Sequence, residues 1–255
     1  MARTRILLYG ATGRMGRAIR TAVRDVPDLE LTACVARKCE NTAETRLVPC
    51  PWLTPDELFA DGVALDPDTV VIDVSLAPGT ARLLEWLERS PRALVSATTG
   101  LGERDEARIQ TLASRTAVLR ARNLSVGNAV VSRMLQAVPV EAKVLFDSDI
   151  IEHHHAAKRD APSGTALLWA SLLGDEIPAD PTQPRRPGEV RIHSVRSGDA
   201  VGTHRAVLAG AGETIEIVHT VSDRAVFALG ALRAARFLRG KPPGFYSLEQ
   251  TLEDR

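Results

Sequence analysis

Seven residues near the N-terminus constrain the fold more than any others. Gly10-Ala11-Thr12-Gly13-Arg14-Met15-Gly16 joins a short apolar run, Arg5-Ile6-Leu7-Leu8-Tyr9, to a helix-compatible run, Ala18-Ile19-Arg20-Thr21-Ala22-Val23. Strand, glycine turn and helix in that order are the opening unit of a doubly wound sheet that binds a dinucleotide. The spacing is G-x-x-G-x-x-G, not the more familiar G-x-G-x-x-G. Gly10 suits the tight turn, Gly13 admits a pyrophosphate to the backbone, and Gly16 lets the helix lie close on the strand. Ala11, Thr12, Arg14 and Met15 complete the predicted cofactor-binding turn.

A second strand, Leu29 to Val35, runs into Ala36-Arg37-Lys38. An NAD-specific site places an Asp or Glu here, on the ribose 2′-hydroxyl. Without that acid a 2′-phosphate meets no repulsion, and Arg37 could grip it with two bonds beside a second cation, Lys38. The expectation is a preference for NADPH, with NADH possible. The alternative is that both cations are simply solvated.

The second strong signal is Glu152-His153-His154-His155-Ala156-Ala157-Lys158-Arg159-Asp160-Ala161-Pro162-Ser163-Gly164-Thr165-Ala166. Three imidazoles with ordinary pKa values of about 6.5 give or take protons at working pH, and Lys158 adds a fixed charge. Asp160 to Ser163 reads as a turn into a helix with Ser163 as N-cap. The N–H groups of Gly164 and Thr165 then point out at the positive end of the helix dipole and receive an anion, with Lys158 as countercharge. Adjacent histidines on an extended chain alternate faces and cannot all ligate one ion, and no neighbouring residues complete a familiar ligand spacing. No metal site is expected.

At 255 residues with zero formal net charge, the chain offers a substantial core and no bulk electrostatic pull toward nucleic acid or membrane surfaces. No apolar run approaches a membrane span, and no signal-like segment precedes the first strand, so no membrane partner is expected. Cys34, Cys39 and Cys50, without a C-x-x-C spacing, fit a reducing cytoplasm better than a disulfide framework.

Strands predicted at 69–75, 93–97 and 117–120 alternate with helices at 80–87 and 103–114, which implies a parallel doubly wound sheet. Ligands bind beyond the carboxyl ends of such strands, where Ser75 to Gly79, Ala97-Thr98-Thr99-Gly100 and Ala121-Arg122-Asn123-Leu124-Ser125 fall. After residue 125 the pattern changes. An alternating stretch at 144–151 leads into the histidine segment, and strands follow at 189–196, 204–209 and 213–219. These predict a mixed or antiparallel sheet. A loop rich in proline and arginine covers 178–188, and the apolar helix Val226 to Leu238 is expected to pack back on the first domain.

These motifs resemble the dihydrodipicolinate reductase family of bacterial lysine and diaminopimelate synthesis. The resemblance runs from Ile6 to Leu252 through GATGRMGR, ATTG at 97–100, RNLSVG at 122–127, the histidine-lysine segment at 152–166, RSGDAVGTH at 196–204 and GFYSLEQTL at 244–252. It implies an N-terminal Rossmann-like sheet, and a central α+β domain with a mixed or antiparallel sheet. Residues 1–125 and 225–255 would form the dinucleotide-binding domain, and 126–224 the substrate-binding and oligomerisation domain. The implied reaction is NADPH-dependent reduction of a cyclic, imine-like dicarboxylate, 4-hydroxy-tetrahydrodipicolinate. On the matching positions His154 is the proton donor and Lys158 the essential cation. His155, Lys158, Ser163, Gly164 and Thr165 contact the substrate carboxylates, and Arg37 reads the adenine ribose. Ser75, Ala97, Thr98, Thr99, Arg122, Asn123 and Leu124 border the nicotinamide, and a homotetramer is implied. The chain departs from the family pattern at Ala97 (usually Gly), Leu124 (usually Phe) and Ser75-Leu76 (usually Phe-Thr). These changes flank the cofactor and imply altered affinity for it, or a paralogue acting on a related cyclic imine. A non-catalytic nucleotide-binding protein is the reading from another class, and steady-state turnover separates it.

Overall fold

The computed structural model describes residues 3–38, 49–60, 63, 65–174, 176–178 and 183–253. Cys39 and the middle of the 178–188 segment lie outside the described residues. The chain divides into two compact units, Met1–Ser125 with Ala225–Arg255, and Val126–Arg224.

The first unit holds β1 (Thr4–Tyr9), α1 (Arg14–Ala22), β2 (Leu29–Val35), β3 (Trp52–Leu53), α2 (Pro55–Phe59), β4 (Val70–Asp73), α3 (Ala77–Arg89), β5 (Leu94–Ser96), α4 (Glu103–Leu112) and β6 (Ala117–Arg120). The strands form a parallel sheet in the order β11-β6-β5-β4-β1-β2-β3, where β11 is Gly244–Tyr246. Ile6, Leu7, Leu8, Val70, Val71 and Ile72 are wholly buried. Continuous apolar runs, not alternating ones, mark strands covered on both faces. On α3 the stripe Leu83, Leu84 and Leu87 packs into the same core as Leu7, Val71 and Val118. From β1 the chain builds outward to β2 and β3 on one side and to β4, β5 and β6 on the other. The order of strands therefore reverses between β1 and β4, the kind of point where open α/β sheets bind ligands.

The second unit holds α5 (Val126–Gln136), α6 (Val140–Leu145), β7 (Asp147–His154), α7 (Gly164–Leu173), β8 (Val190–Arg196), β9 (Gly202–Gly210) and β10 (Glu213–Val221). Its sheet runs β10-β9-β7-β8, with β7 parallel to β8 and antiparallel to β9. Trp169, Leu173 and Ala166 of α7 and Val131 and Leu135 of α5 cover Ile150, Val190, Ala206 and Leu208. On the opposite face, by register, lie Val195 and Val218, which are 42% and 48% exposed. The described part of the 178–188 segment is anchored: Arg185 donates to the Ser148 carbonyl at 3.0 Å and to Asp149 at 2.7 Å.

The alternation expected at 144–151 is corrected. Val144 and Leu145 end α6, and β7 begins at Asp147 and carries the alternation as far as His154. The apolar residues of α6 are exposed (Val140 71%, Leu145 75%), so no buried stripe marked this helix in the sequence. No described helix is long and apolar enough to cross a membrane.

Candidate active site

At the reversal point the glycine turn behaves as its spacing requires. Gly10 has φ +90°, a conformation L side chains rarely adopt, and a Cβ there would lie 2.8 Å from the Ser75 nitrogen. A Cβ on Gly16 would lie 2.4 Å from the Gly10 carbonyl oxygen, so only glycine lets α1 sit this close to the turn. Gly13 is the N-cap of α1, with no side-chain cap and no acid in the first turn. An uncapped, acid-free helix start receives a pyrophosphate well. Thr12, Gly13 and Arg14 are exposed there, Met15 is half-buried, and Ala11 is buried. Arg37 and Lys38 are exposed directly after β2. These residues fit a dinucleotide.

Asp73, at the end of β4, ties this edge together. It is wholly buried and accepts bonds from the Ser75 amide and hydroxyl (3.0 and 2.6 Å), Thr80 (2.5 Å) and Thr98 (3.2 Å). Burial pushes its carboxyl above the usual range, against the pull of those donors. Of the residues expected near the nicotinamide, Thr98 and Leu124 turn their side chains inward. Thr99 and Arg122 are exposed, and Ser75, Ala97 and Asn123 are half-buried. Leu124 is fixed by α8 (Ala225–Leu238): a Cβ on Gly230 would fall 1.7 Å from the Leu124 carbonyl oxygen.

In the second unit the histidines separate as a strand dictates. His154 faces the helices and is 9% exposed, while His153 turns to the other face and meets the Ser197 hydroxyl at 2.8 Å. His155 leaves the strand, half-buried, its amide donating to the Ala200 carbonyl at 2.8 Å. Ser163 caps α7, its hydroxyl accepting the Ala166 amide at 3.2 Å. Gly164 is exposed with open space around it, and Thr165 is half-buried beside it, so the start of α7 is open to an anion. Lys158 does not stand free as a countercharge: Asp160 accepts both its bonds at 2.8 Å.

At the centre is a residue to which the sequence assigned no role. Glu152 is wholly buried on β7. Arg196 clasps it with two bonds, 2.8 and 2.6 Å, the Ser163 amide donates at 3.2 Å, and His154 Nδ1 makes a short bond to the remaining position. Burial alone would push this carboxyl up. Arg196, the Ser194 hydroxyl and His154 outweigh it and hold the group at about 2. Burial pushes His154 below the ordinary imidazole value. Glu152 counters that, and Lys158 and Arg196 reinforce it. His204 lies edge to face with His154 at 5.1 Å, bonds the Ser163 hydroxyl at 3.0 Å and packs on Trp169; burial and its neighbours push it down to about 3.

Ligand atoms of Glu152, His154 and His204 come within 4.8 Å of one another, a grouping their spacing hides. The carboxylate is already clasped by Arg196, and Lys158 adds positive charge, so the electrostatics oppose a cation. Glu152, Arg196, His204, Asp160 and Asp73 are what sequence reasoning missed. Glu152 opens the histidine segment and both Arg196 and His204 belong to RSGDAVGTH, so the motifs contained them while hiding their contacts.

Residues 4–124 match the family model described as dihydrodipicolinate reductase, N-terminus, and residues 127–252 that for its C-terminus. The chain is 40% identical over 256 residues to the 4-hydroxy-tetrahydrodipicolinate reductase of Thermomicrobium roseum, covering 96% of this chain and 98% of that one. It is 41% identical over 264 residues of alignment to the enzyme of the same name from Nitratiruptor sp., covering 96% and 97%. In fold it is similar to a dipicolinate-bound dihydrodipicolinate reductase from Paenisporosarcina sp. TG-14, with a TM-score of 0.75, 21% identity and 97% and 99% coverage. With a dinucleotide-type glycine turn in one unit and a clamped imidazole in the other, this chain is an NAD(P)H-dependent oxidoreductase that belongs to the dihydrodipicolinate reductase family.

Proposed function

We propose that this reductase converts 4-hydroxy-tetrahydrodipicolinate, the substrate in its relatives' names, to tetrahydrodipicolinate in lysine and diaminopimelate synthesis, with NADPH preferred to NADH. One observation carries this reading. Glu152 bonds His154 and the Ser163 amide at once, so a proton-bearing imidazole and the anion-receptive start of α7 are clamped to a single carboxylate. A dicarboxylate that must gain a proton is the chemistry such a pairing serves.

When bound, the reduced nicotinamide supplies hydride. The chain's own residues do the rest. The amides of Gly164 and Thr165 receive a substrate carboxylate, Lys158 shares its charge between that carboxylate and Asp160, and His155 and Ser163 border the same anion. His154 gives the proton, and the substrate's 4-hydroxyl leaves as water, so that hydride and proton in and water out balance the conversion. The exposed Arg37 and Lys38 favour a 2′-phosphate, in the absence of an acid that would hold the free hydroxyl. A cytoplasmic location belongs to the same reading, that of a biosynthetic enzyme. The open sheet face bearing Val195 and Val218 suits burial in a homotetramer.

The test is oxidation of NADPH and of NADH with substrate made in situ by the preceding synthase from pyruvate and aspartate semialdehyde. Rapid NADPH consumption is expected. His154→Gln should lower kcat by roughly 10²-fold or more with little change in KM. Arg37→Ala should narrow the NADPH-to-NADH ratio of kcat/KM. No turnover with either cofactor, from protein that binds NADPH, would shift the assignment to a related cyclic imine.

A further inference from the structure

We infer that Glu152 and Arg196 are positioning residues that commit His154 to proton delivery through Nε2. The inference rests on His154 being the proton donor. It follows from hydrogen-bond polarity. The Arg196 guanidinium and the Ser163 amide have hydrogens and no lone pairs to offer, and they occupy both oxygens of Glu152. The Ser194 hydroxyl bonds the carboxyl as well, and the Arg196 charge together with these donors keeps it ionised, so the hydrogen of its short contact with His154 belongs to Nδ1. In neutral His154 the lone pair then lies on Nε2, the nitrogen that takes up a proton and passes it on.

The surroundings fit this assignment. Gly202 of β9 borders Nε2, and a Cβ there would lie 3.0 Å from that atom, so the missing side chain keeps the nitrogen uncrowded. His204, also on β9, meets the ring of His154 edge to face, while its own Nε2 is engaged by the Ser163 hydroxyl. The charged and titratable groups facing His154 are thus Glu152 from its own strand, Lys158 from the turn that follows, Arg196 from β8 and His204 from β9. Only Glu152 favours the imidazolium. Arg196 acts one step further back. Without its fork a buried Glu152 would take a proton itself and no longer require a hydrogen on Nδ1. Neither residue reaches the reacting atoms in this scheme; both act through His154.

The test is a double-mutant cycle of Glu152→Gln and His154→Gln, read in kcat, in the pH profile of kcat/KM and in binding of dipicolinate as a dicarboxylate probe. Glu152→Gln presents an amide that can donate to Nδ1 and hold the wrong tautomer. The expected result is a fall in kcat of roughly 10²-fold, within the range a positioned acid contributes, with the alkaline limb moved to lower pH and dipicolinate binding changed little. On the His154→Gln background the same substitution should cost nothing more in kcat. If it costs its full amount there, or leaves kcat and pH profile untouched in the parent, the inference is overturned. If His154→Gln alone turns over at the parent rate, it is the assignment of the acid that fails. Arg196→Lys keeps a cation but loses the fork, and serves should Glu152→Gln not fold. It should move the same limb by a smaller amount, and an unmoved limb would count against the inference.

Discussion

His154 and His204 lie edge to face, yet only His154 is hydrogen-bonded to the carboxylate that answers its burial. His204, with a serine hydroxyl for partner, is pushed down to about 3 and is neutral at working pH. His154 stays nearer its ordinary value but below it. A general acid works only while protonated, so kcat/KM should fall as pH rises through the His154 pKa, on the acid side of about 6.5 in the free enzyme. A profile flat across pH 5 to 8 would exclude His154 as the titrating donor. At Lys158 the competing charge is Asp160. Lys158→Ala should lower kcat and raise KM together, because it removes a charge from the bound dicarboxylate. Asp160→Asn should do the reverse to affinity, lowering KM by a few-fold as Lys158 is released to the substrate. A raised KM in Asp160→Asn would show that the pair orients Lys158 and does not compete for it.

At the scale of elements, two glycines, Gly16 and Gly230, are packing constraints that act through the backbone. Gly16→Ala places a methyl against the Gly10 carbonyl, and the helix must shift from the turn it is meant to close. The expected outcome is weakened NADPH binding, measured by fluorescence titration, with a lowered Tm. How far such elements were legible varied with what defines them. β1, β2 and β6 fell where apolar runs bounded by turns placed them, since burial on both faces writes itself into composition. α5 was not anticipated, because VGNAVVSRMLQ mixes β-branched residues with a glycine and an asparagine. The side chain of Asn128 accepts from the Trp169 indole at 3.0 Å, so tertiary contact overrides weak propensity there. For α2 the sign was present and unread: Thr54 and Glu57 form a capping box, the T-x-x-E pattern, with Pro55 at the first helical position. The site was legible wherever local sequence determines geometry, as at the Ser163 cap. It was not where the partner lies far along the chain: nothing near Glu152 announces that Arg196 will clasp it, because only the pairing of β7 with β8 places Glu152 across from Ser194.

For the molecule as a whole, the same groups set a direction for acid sensitivity. The folded pKa of His204 is depressed, so below about pH 6.5 the unfolded chain binds a proton the folded one refuses, and stability declines as pH falls toward about 3. Glu152, also depressed, adds a second decline between its ordinary value of 4.5 and about 2. Tm should therefore drop on acidification before ordinary carboxylates begin to titrate. His204→Gln should flatten the Tm profile between pH 6.5 and 4.5, and an unchanged slope would assign the acid sensitivity elsewhere. If the open sheet face is an assembly surface, Val218→Lys should reduce the mass seen by sedimentation without unfolding the chain.

The first unit is interrupted: its chain leaves at Ser125 and resumes at Ala225. What returns is essential to it, since α8 packs on β1, β4, β5 and β6, and β11 extends the sheet beside β6. On the ribosome, therefore, the intervening unit is fully synthesised while its host still lacks a helix and an edge strand. The unit whose synthesis begins first is the last to be completed. The nascent strands β4 to β6, apolar but for their last residues, wait from about 100 (β6) to about 150 (β4) residues for their cover, which at roughly 5–20 residues per second is some seconds of exposure that chaperones would have to bridge.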